Sequence, residues 1–152
     1  MARRVLRDAL HRQVEGSVAA GARPVMGGVV PDGPGAFYPA TLLTDVRPGM
    51  PAFAEELFGP VAVVIEAADE GEAVALANGS GYGLGAAIFT ANAAHGEAIA
   101  AERLEAGAAF VNAFVRSDLR LPFGGVRDSG YGRELGRWGM MEWVNAKTVV
   151  VA

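Results

Sequence analysis

The sequence predicts an α/β fold, with a mostly parallel sheet and crossover helices. Three observations carry this reading. From Val61 to Ala113 the pattern runs strand, helix, strand, helix, strand, which is the order of parallel crossover units. Val61–Ala67 (VAVVIEA) is a continuous apolar run rich in β-branched residues, suited to a strand covered on both faces. The chain has 152 residues, of which 51% are hydrophobic and 20% charged, a length and composition that allow one globular domain with a core.

The elements follow in order. Leu6, Leu10, Val14 and Val18 recur every four residues, with Val5 and Ala9 beside them. That stripe predicts an amphipathic helix over residues 3–20, with Gly21 as its stop. A short strand, Arg23–Met26, runs to Gly27 and Gly28, and the PDGPG segment from Pro31 to Gly35 is a turn by composition. Phe37–Val46 reads as a strand. Pro48 and Pro51 precede a helical turn at Ala52–Leu57, which Gly59 and Pro60 stop. After the Val61–Ala67 strand, Asp69 and Glu72 have capping-box spacing for a helix through Asn78. Ala86–Thr90 is a short strand. Asn92 caps a helix to Ala106, ended by Gly107, and Ala108–Ala113 is the next strand. Residues 114–132 form a loop rich in Gly, Arg and Asp, Glu134–Trp143 is helical, and Lys147–Val151 is a last strand with no evident partner in the chain. No internal repeat or linker is visible.

Composition excludes several functions. The chain has no cysteine, so it holds no disulfide, no thiolate nucleophile and no thiolate metal ligand. His11 and His95 stand far apart without ligand-spaced partners; each reads as a solvated helix residue, and no metal site is expected. A net charge of −4 without a basic stripe argues against nucleic acid. No apolar run approaches the ~18 residues that a membrane span needs. The amino-terminal MARRVLRDALHRQ lacks the apolar segment of a signal peptide, so the expected location is cytoplasmic.

Three segments are candidates for chemistry. Gly79, Gly81, Gly83 and Gly85 resemble a phosphate cradle, but they follow a helix and precede a strand, the reverse of a dinucleotide fingerprint. A helix stop and turn is the better reading. Glu55 to Pro60 (EELFGP) puts two acids beside an aromatic and a Gly-Pro stop. Such a corner could present a carboxylate and a ring to a ligand; pattern alone favours a solvated acid pair and a core phenylalanine. Leu121 to Glu134 is a long glycine-bearing loop, either functional or a well-packed Ω-loop.

Taken together, these segments resemble the aldehyde dehydrogenase family. EELFGP ahead of a hydrophobic strand looks like the family's E-I/L-F-G-P signature. PFGGVRDSGYGRE resembles P-F-G-G-x-K-x-S-G-x-G-R-E, and AVALANGSGYGLGAAIFT is similar to the stretch between them. GARPVMGG and FYPATLLTDV match the approach to the first motif, so the resemblance covers essentially the whole chain. Within the family, FVNAFVRSDLRLPFGG and SGYGRELG look most like bacterial NAD(P)-dependent succinate-semialdehyde dehydrogenases.

The resemblance implies an aldehyde-dehydrogenase-like catalytic domain over residues 1–152, incomplete, whose residues 146–152 form an oligomerisation strand. It implies that Glu56 hydrogen-bonds the nicotinamide ribose of NAD or NADP and that Phe58 packs near the nicotinamide ring. Phe114 and Ser117 would line the aldehyde tunnel, Ser117 helping to hold a substrate carboxylate. Arg127 stands where the motif usually has lysine, and Asp128 also departs from it. The family reaction begins with cysteine attack on the aldehyde. Hydride transfer to NAD(P) follows, then hydrolysis by a glutamate-activated water. The cysteine, the base and the coenzyme-binding domain precede the region resembled here. The chain therefore has no catalytic residue of its own, and alone it is expected to be inactive and to bind free cofactor weakly or not at all. The implied partners are a second copy, as a dimer, or a complete aldehyde dehydrogenase subunit. The alternative is a non-catalytic oligomerisation or partner-binding module of the same fold.

Overall fold

In the computed structural model, which describes all 152 residues, the first helix forms where its period predicts it. The chain divides into two units, Met1–Ala73 and Val74–Ala152. In the first, helix α1 (Arg4–Ala19) is followed by strands β1 (Arg23–Met26) and β2 (Thr41–Thr44), helix α2 (Pro51–Ala54) and strand β3 (Val61–Val63). Leu10 and Val14 on α1 are 2% exposed, and Leu43 of β2 is fully buried. With Ala22, Tyr38, Val46, Met50 and Ala52 they form the core of this unit. The sheet order is β1-β2-β3, with β1 antiparallel and β3 parallel to β2.

Two strands are shorter than predicted, for physical reasons. The Phe37–Val46 strand contracts to Thr41–Thr44. Pro39 has no N–H to give a ladder, and its carbonyl instead accepts the Thr41 hydroxyl at 3.0 Å. At the other end Asp45 takes φ 58° and turns the chain away. The Val61–Ala67 run forms only Val61–Val63, half-buried, and Val64 is largely exposed. Burial on both faces is not met in this chain: Ala62 and Val64, which alternate with the half-buried Val61 and Val63, are exposed.

A single hydroxyl fastens α2 to α1. Ser17 is fully buried on α1; its Oγ donates to the Gln13 carbonyl at 2.8 Å and accepts the Ala52 N–H at 2.9 Å. That N–H lies in the first turn of α2, where the helix has no carbonyl to offer it. Ser17 therefore acts as a helix cap from another element. Further on, helix α3 (Glu70–Asn78) has the predicted start. Asp69 Oδ1 accepts the Glu72 N–H at 2.8 Å, and Glu72 Oε2 reaches back to the Ala68 N–H at 2.6 Å.

The second unit holds strands β4 (Tyr82–Gly83) and β5 (Gly85–Ile88), helix α4 (Ala93–Glu102), strands β6 (Ala108–Val111) and β7 (Val126–Arg127), and helix α5 (Gly136–Met141). β5 and β6 pair in parallel from Gly85 opposite Ala108 to Ile88 opposite Val111, and α4 is the crossover between them, as predicted. Asn92 caps α4 by accepting the His95 N–H at 3.1 Å. The helix ends at Glu102, short of Ala106. The Asn78 side chain explains this: its Nδ2 donates to the Arg103 carbonyl at 2.8 Å and its Oδ1 accepts the Glu105 N–H at 2.9 Å, drawing the chain out of the helix. β7 pairs antiparallel with β4 inside what the sequence reads as a plain loop. The α/β class is as predicted, but its strands form three small sheets rather than one.

Lys147–Val151 forms no strand, because it has no hydrogen-bonded neighbour within the chain. Val149, Val150 and Val151 are largely exposed. No helix is long and apolar enough to cross a membrane.

The Ser17 hydroxyl is directly testable. Ser17→Ala strands the buried Ala52 N–H and should destabilise the first unit by about 1–3 kcal/mol. Urea unfolding followed by circular dichroism measures this, and a midpoint equal to that of the unsubstituted chain would contradict it.

Candidate functional site

The Glu55–Pro60 corner is built on α1. Gln13 Nε2 donates to Glu55 Oε2 at 2.8 Å and to the Glu56 carbonyl at 3.2 Å. The Gly59 N–H then bonds the Leu57 carbonyl and the Val61 N–H bonds the Gly59 carbonyl, both at 2.8 Å. Two successive three-residue turns of this kind give a tight corner. A Cβ at Gly59 would overlap the Leu10 side chain, which is buried and has nowhere to go, and would meet Met1 Cε at 3.1 Å. Only glycine lets the corner press this close to α1.

The two acids have different situations. Glu55 is engaged by Gln13, whereas the Glu56 carboxylate is exposed and makes no hydrogen bond or ion pair within the chain. Phe58 is 71% exposed, so it is not the core phenylalanine that pattern alone favours. Its ring forms one wall of an open cleft of about 430 Å3, with Leu6, Tyr38, Leu57 and Pro60. Tyr38 is held from behind: its hydroxyl lies 3.1 Å from His11 Nδ1 and its ring meets the imidazole edge-on. Burial, and then the Glu15 carboxylate, push its phenol pKa up. The free Glu56 carboxylate can accept hydrogen bonds from hydroxyls, and the exposed Phe58 ring at the apolar cleft, two residues on, can cover a flat heterocycle. These features fit the ribose and nicotinamide of a dinucleotide.

The second unit places Phe114 and Ser117 on the segment after β6. Asn112 sets their direction. It takes φ 53°, a left-handed conformation that asparagine tolerates, and its N–H donates to the Ile88 carbonyl at 2.7 Å. Its side-chain amide bonds both backbone groups of Thr90, at 2.8 and 2.9 Å. A side chain thus extends the β5–β6 ladder by one step while the backbone turns out. Phe114 emerges 80% exposed, its ring centroid 5.5 Å from that of Phe89. Ser117 is exposed and has no hydrogen-bond partner. Asp118 follows and binds Arg120 three ways: Nε at 3.0 Å, Nη2 at 2.7 Å and the backbone N–H at 2.9 Å. The Arg120 side chain, then its backbone N–H and more weakly Arg116, hold the Asp118 carboxyl down at about 2. Arg120 is therefore committed within its own loop.

The Leu121–Glu134 loop is packed by its own polar groups. Phe123 and Glu134 exchange backbone bonds at 2.8 and 2.7 Å, closing it. Arg133 Nη1 donates to the Gly125 and Gly132 carbonyls, and Ser129 Oγ accepts the Gly83 N–H at 3.0 Å. Arg127 donates to the Asn78 and Ser80 carbonyls at 2.8 and 2.7 Å and pairs with Glu105. The acceptors are divided between two guanidinium nitrogens, Nη1 and Nη2, a spread that suits the planar fork of arginine. The reading of the glycine run as a turn also holds in space. A Cβ at Gly83 would lie 2.6 Å from Val126 Cγ2 and 2.8 Å from the Glu105 carbonyl, so the chain itself fills any cradle.

Sequence reasoning missed Gln13, Asn78 and Asn112. Asn78 stands in a motif, but nothing in the pattern marks Gln13, which is one polar residue among many on a helix.

With this geometry in view, the matches with known proteins can be weighed. The Aldehyde dehydrogenase family model matches residues 1–149. The chain belongs to the aldehyde dehydrogenase family. It is 50% identical over 149 residues to a succinate semialdehyde dehydrogenase of Escherichia coli, covering 98% of this chain and 32% of that protein. It is 51% identical over 140 residues to the NADP(+) succinate-semialdehyde dehydrogenase of Deinococcus radiodurans, covering 92% of this chain and 29% of the relative. Among solved structures it is similar to Streptococcus pyogenes succinic semialdehyde dehydrogenase in complex with NADP+, with TM-score 0.92 and 36% identity, covering 99% of this chain and 33% of that one. It is also similar to a Mycobacterium tuberculosis aldehyde dehydrogenase complexed with NAD+, with TM-score 0.91 and 33% identity, covering 99% and 31%. The chain thus spans about a third of the length of the relatives it matches.

The Asp118–Arg120 pair gives a pH prediction. Its folded-state carboxyl value lies below the ordinary one, so the pairing is complete at neutral pH. It is lost as pH falls through the ordinary carboxylate range toward about 2. Arg120→Gln should raise the Asp118 titration toward the ordinary range, the backbone N–H of residue 120 still holding part of the shift, read by carbon-detected NMR. An unmoved titration would mean that another group holds the proton off.

Proposed function

We propose that this chain supplies the nicotinamide-side corner and the aldehyde-side segment of an NAD(P)-dependent aldehyde dehydrogenase acting on succinate semialdehyde in the cytoplasm. The observation that carries the reading is the free Glu56 carboxylate two residues before the exposed Phe58 ring, at the motif position where the family binds the nicotinamide riboside. Glu56 would accept hydrogen bonds from the ribose hydroxyls. Phe58 would cover one face of the nicotinamide and keep water from it. The cofactor, when bound, accepts the hydride.

On the aldehyde side, Phe114 and Phe89 would form an apolar wall and Ser117 would donate to the substrate carboxylate. The substrate class rests on the likeness to succinate-semialdehyde dehydrogenases. The thiolate that attacks the aldehyde is not among these 152 residues, so the chain by itself carries no covalent step.

Saturation-transfer NMR on the chain with NADP+ tests the cofactor reading. The nicotinamide ring protons should receive saturation from the protein and the adenine protons little, and Glu56→Gln should abolish the nicotinamide signal. Saturation confined to the adenine, or untouched by Glu56→Gln, would refute it.

A second reading concerns association. Lys147–Val151 is a β-branched run without a partner in its own chain, and such a segment is a template for adding to another sheet. Residues 146–152 would then join two copies as a dimer, or join this chain to a complete aldehyde dehydrogenase subunit. Light scattering should find a dimer for the intact chain and a monomer after truncation at Asn145. A monodisperse monomer for the intact chain would end this reading, and a dimer that survives truncation would remove the strand as its cause.

A further inference from the structure

Two adjacent carboxylates stand on the Glu55–Pro60 corner, yet only Glu56 is left free, and the cause lies on another element. Gln13 sits on α1 between the core residues Leu10 and Val14. Its amide nitrogen carries two hydrogens, and both are used: one on Glu55 Oε2 at 2.8 Å, one on the Glu56 carbonyl at 3.2 Å. The first bond draws Glu55 onto the helix. The second fixes the peptide between Glu56 and Leu57, and the Leu57 carbonyl then takes the Gly59 N–H at 2.8 Å. The orientation set by Gln13 is therefore handed along the corner that carries Phe58.

We infer that Gln13 is a positioning residue of the nicotinamide-side site: it engages Glu55 and holds the Glu56 backbone, so that Glu56 alone presents a carboxylate to a ribose hydroxyl. The inference rests on the cofactor reading given above. Its chemistry is specific to glutamine. Glutamate at this position could not donate and would set a third carboxylate against the corner. Alanine would release Glu55 to stand beside Glu56 as a rival acceptor of like charge. Neither the core nor the caps of α1 use the Gln13 side chain, so its loss leaves Leu10, Val14 and Ser17 in place.

The test uses the complete 152-residue chain with nicotinamide mononucleotide as probe, followed by backbone amide NMR at one neutral pH so that the probe's charge is constant. In the unsubstituted chain, the amides from Glu56 to Gly59 should shift and saturate. Gln13→Ala removes both bonds; it should weaken the probe about fivefold and, because both bonds are exposed, lower the melting temperature only a little. Q13E should weaken it further. Adding E55Q to Q13E returns a donor to the pair with its polarity reversed, and should recover most of the affinity lost between Q13A and Q13E. A purely structural role for residue 13 would show no such recovery. Equal affinity in the unsubstituted, Q13A and Q13E chains overturns the role of Gln13 while leaving the site standing, and so does a double variant no better than Q13E. Shifts that spare Glu56 to Gly59 in the unsubstituted chain overturn the cofactor reading itself, and the inference with it.

Discussion

Close approach of the backbone at a few glycines is the constraint on which both units depend. At Gly59 the Glu55–Pro60 corner presses against a buried leucine of α1. At Gly83 the β4 strand lies against Val126 and the Glu105 carbonyl. A single methyl group at either place would push the elements apart, and no rotamer change could absorb it where the neighbour is backbone or a buried side chain. The glycine run that imitates a phosphate cradle belongs to this constraint. Its glycines make room for the protein's own chain, which leaves no room for a phosphate.

Around these contacts the side chains divide into those with partners and those without. Ser17, Asn78, Asn112, Ser129 and Arg127 each satisfy two or more groups, or join segments distant in sequence. Glu56, Phe58, Phe114 and Ser117 do the reverse: each has its polar or aromatic end unpaired or exposed, Glu56 and Phe58 on the tightly bonded Glu55–Pro60 corner, Phe114 and Ser117 on the segment that follows Asn112. A preorganised backbone with an uncommitted side chain is what binding requires, because the ordering cost is met on folding rather than on ligand arrival. The contrast between Glu55 and Glu56 shows the point at one-residue resolution.

How much of this the sequence discloses depends on the range of the interaction. α1, β1, the α3 cap and the β5–α4–β6 crossover are set by periodicity and local capping, and they appear where the pattern puts them. The contraction of the 37–46 strand was legible in part, since Pro39 is visible in the sequence, but the positive φ of Asp45 was not. β7 escaped because a two-residue strand has no period. The early end of α4 escaped because its cause, Asn78, lies 25 residues away from Arg103. The site residues became legible only through motif resemblance. Pattern alone made Phe58 a core residue, because hydrophobicity cannot distinguish a ring that packs inward from one kept outward for a ligand.

The two units are stabilised by different means, and this bears on the sites they carry. The buried apolar cluster lies entirely in the first unit, whereas Ile99 is the one buried large hydrophobic side chain of the second. In the second unit Leu119, Leu121, Tyr131, Trp138, Met140 and Trp143 all face solvent. Apolar area contributes about 25 cal/mol per Å2 only once water is removed from it. These residues therefore give the second unit little in this chain, and its order rests on the Asn78, Arg127 and Phe123–Glu134 hydrogen bonds. The Glu55–Pro60 corner is anchored to a real core and its geometry is set in advance. The segment that carries Phe114 and Ser117 is anchored to a polar framework with exposed apolar surface around it, so its geometry becomes as firm only when further polypeptide packs over it. In relatives about three times as long there is ample chain to do so.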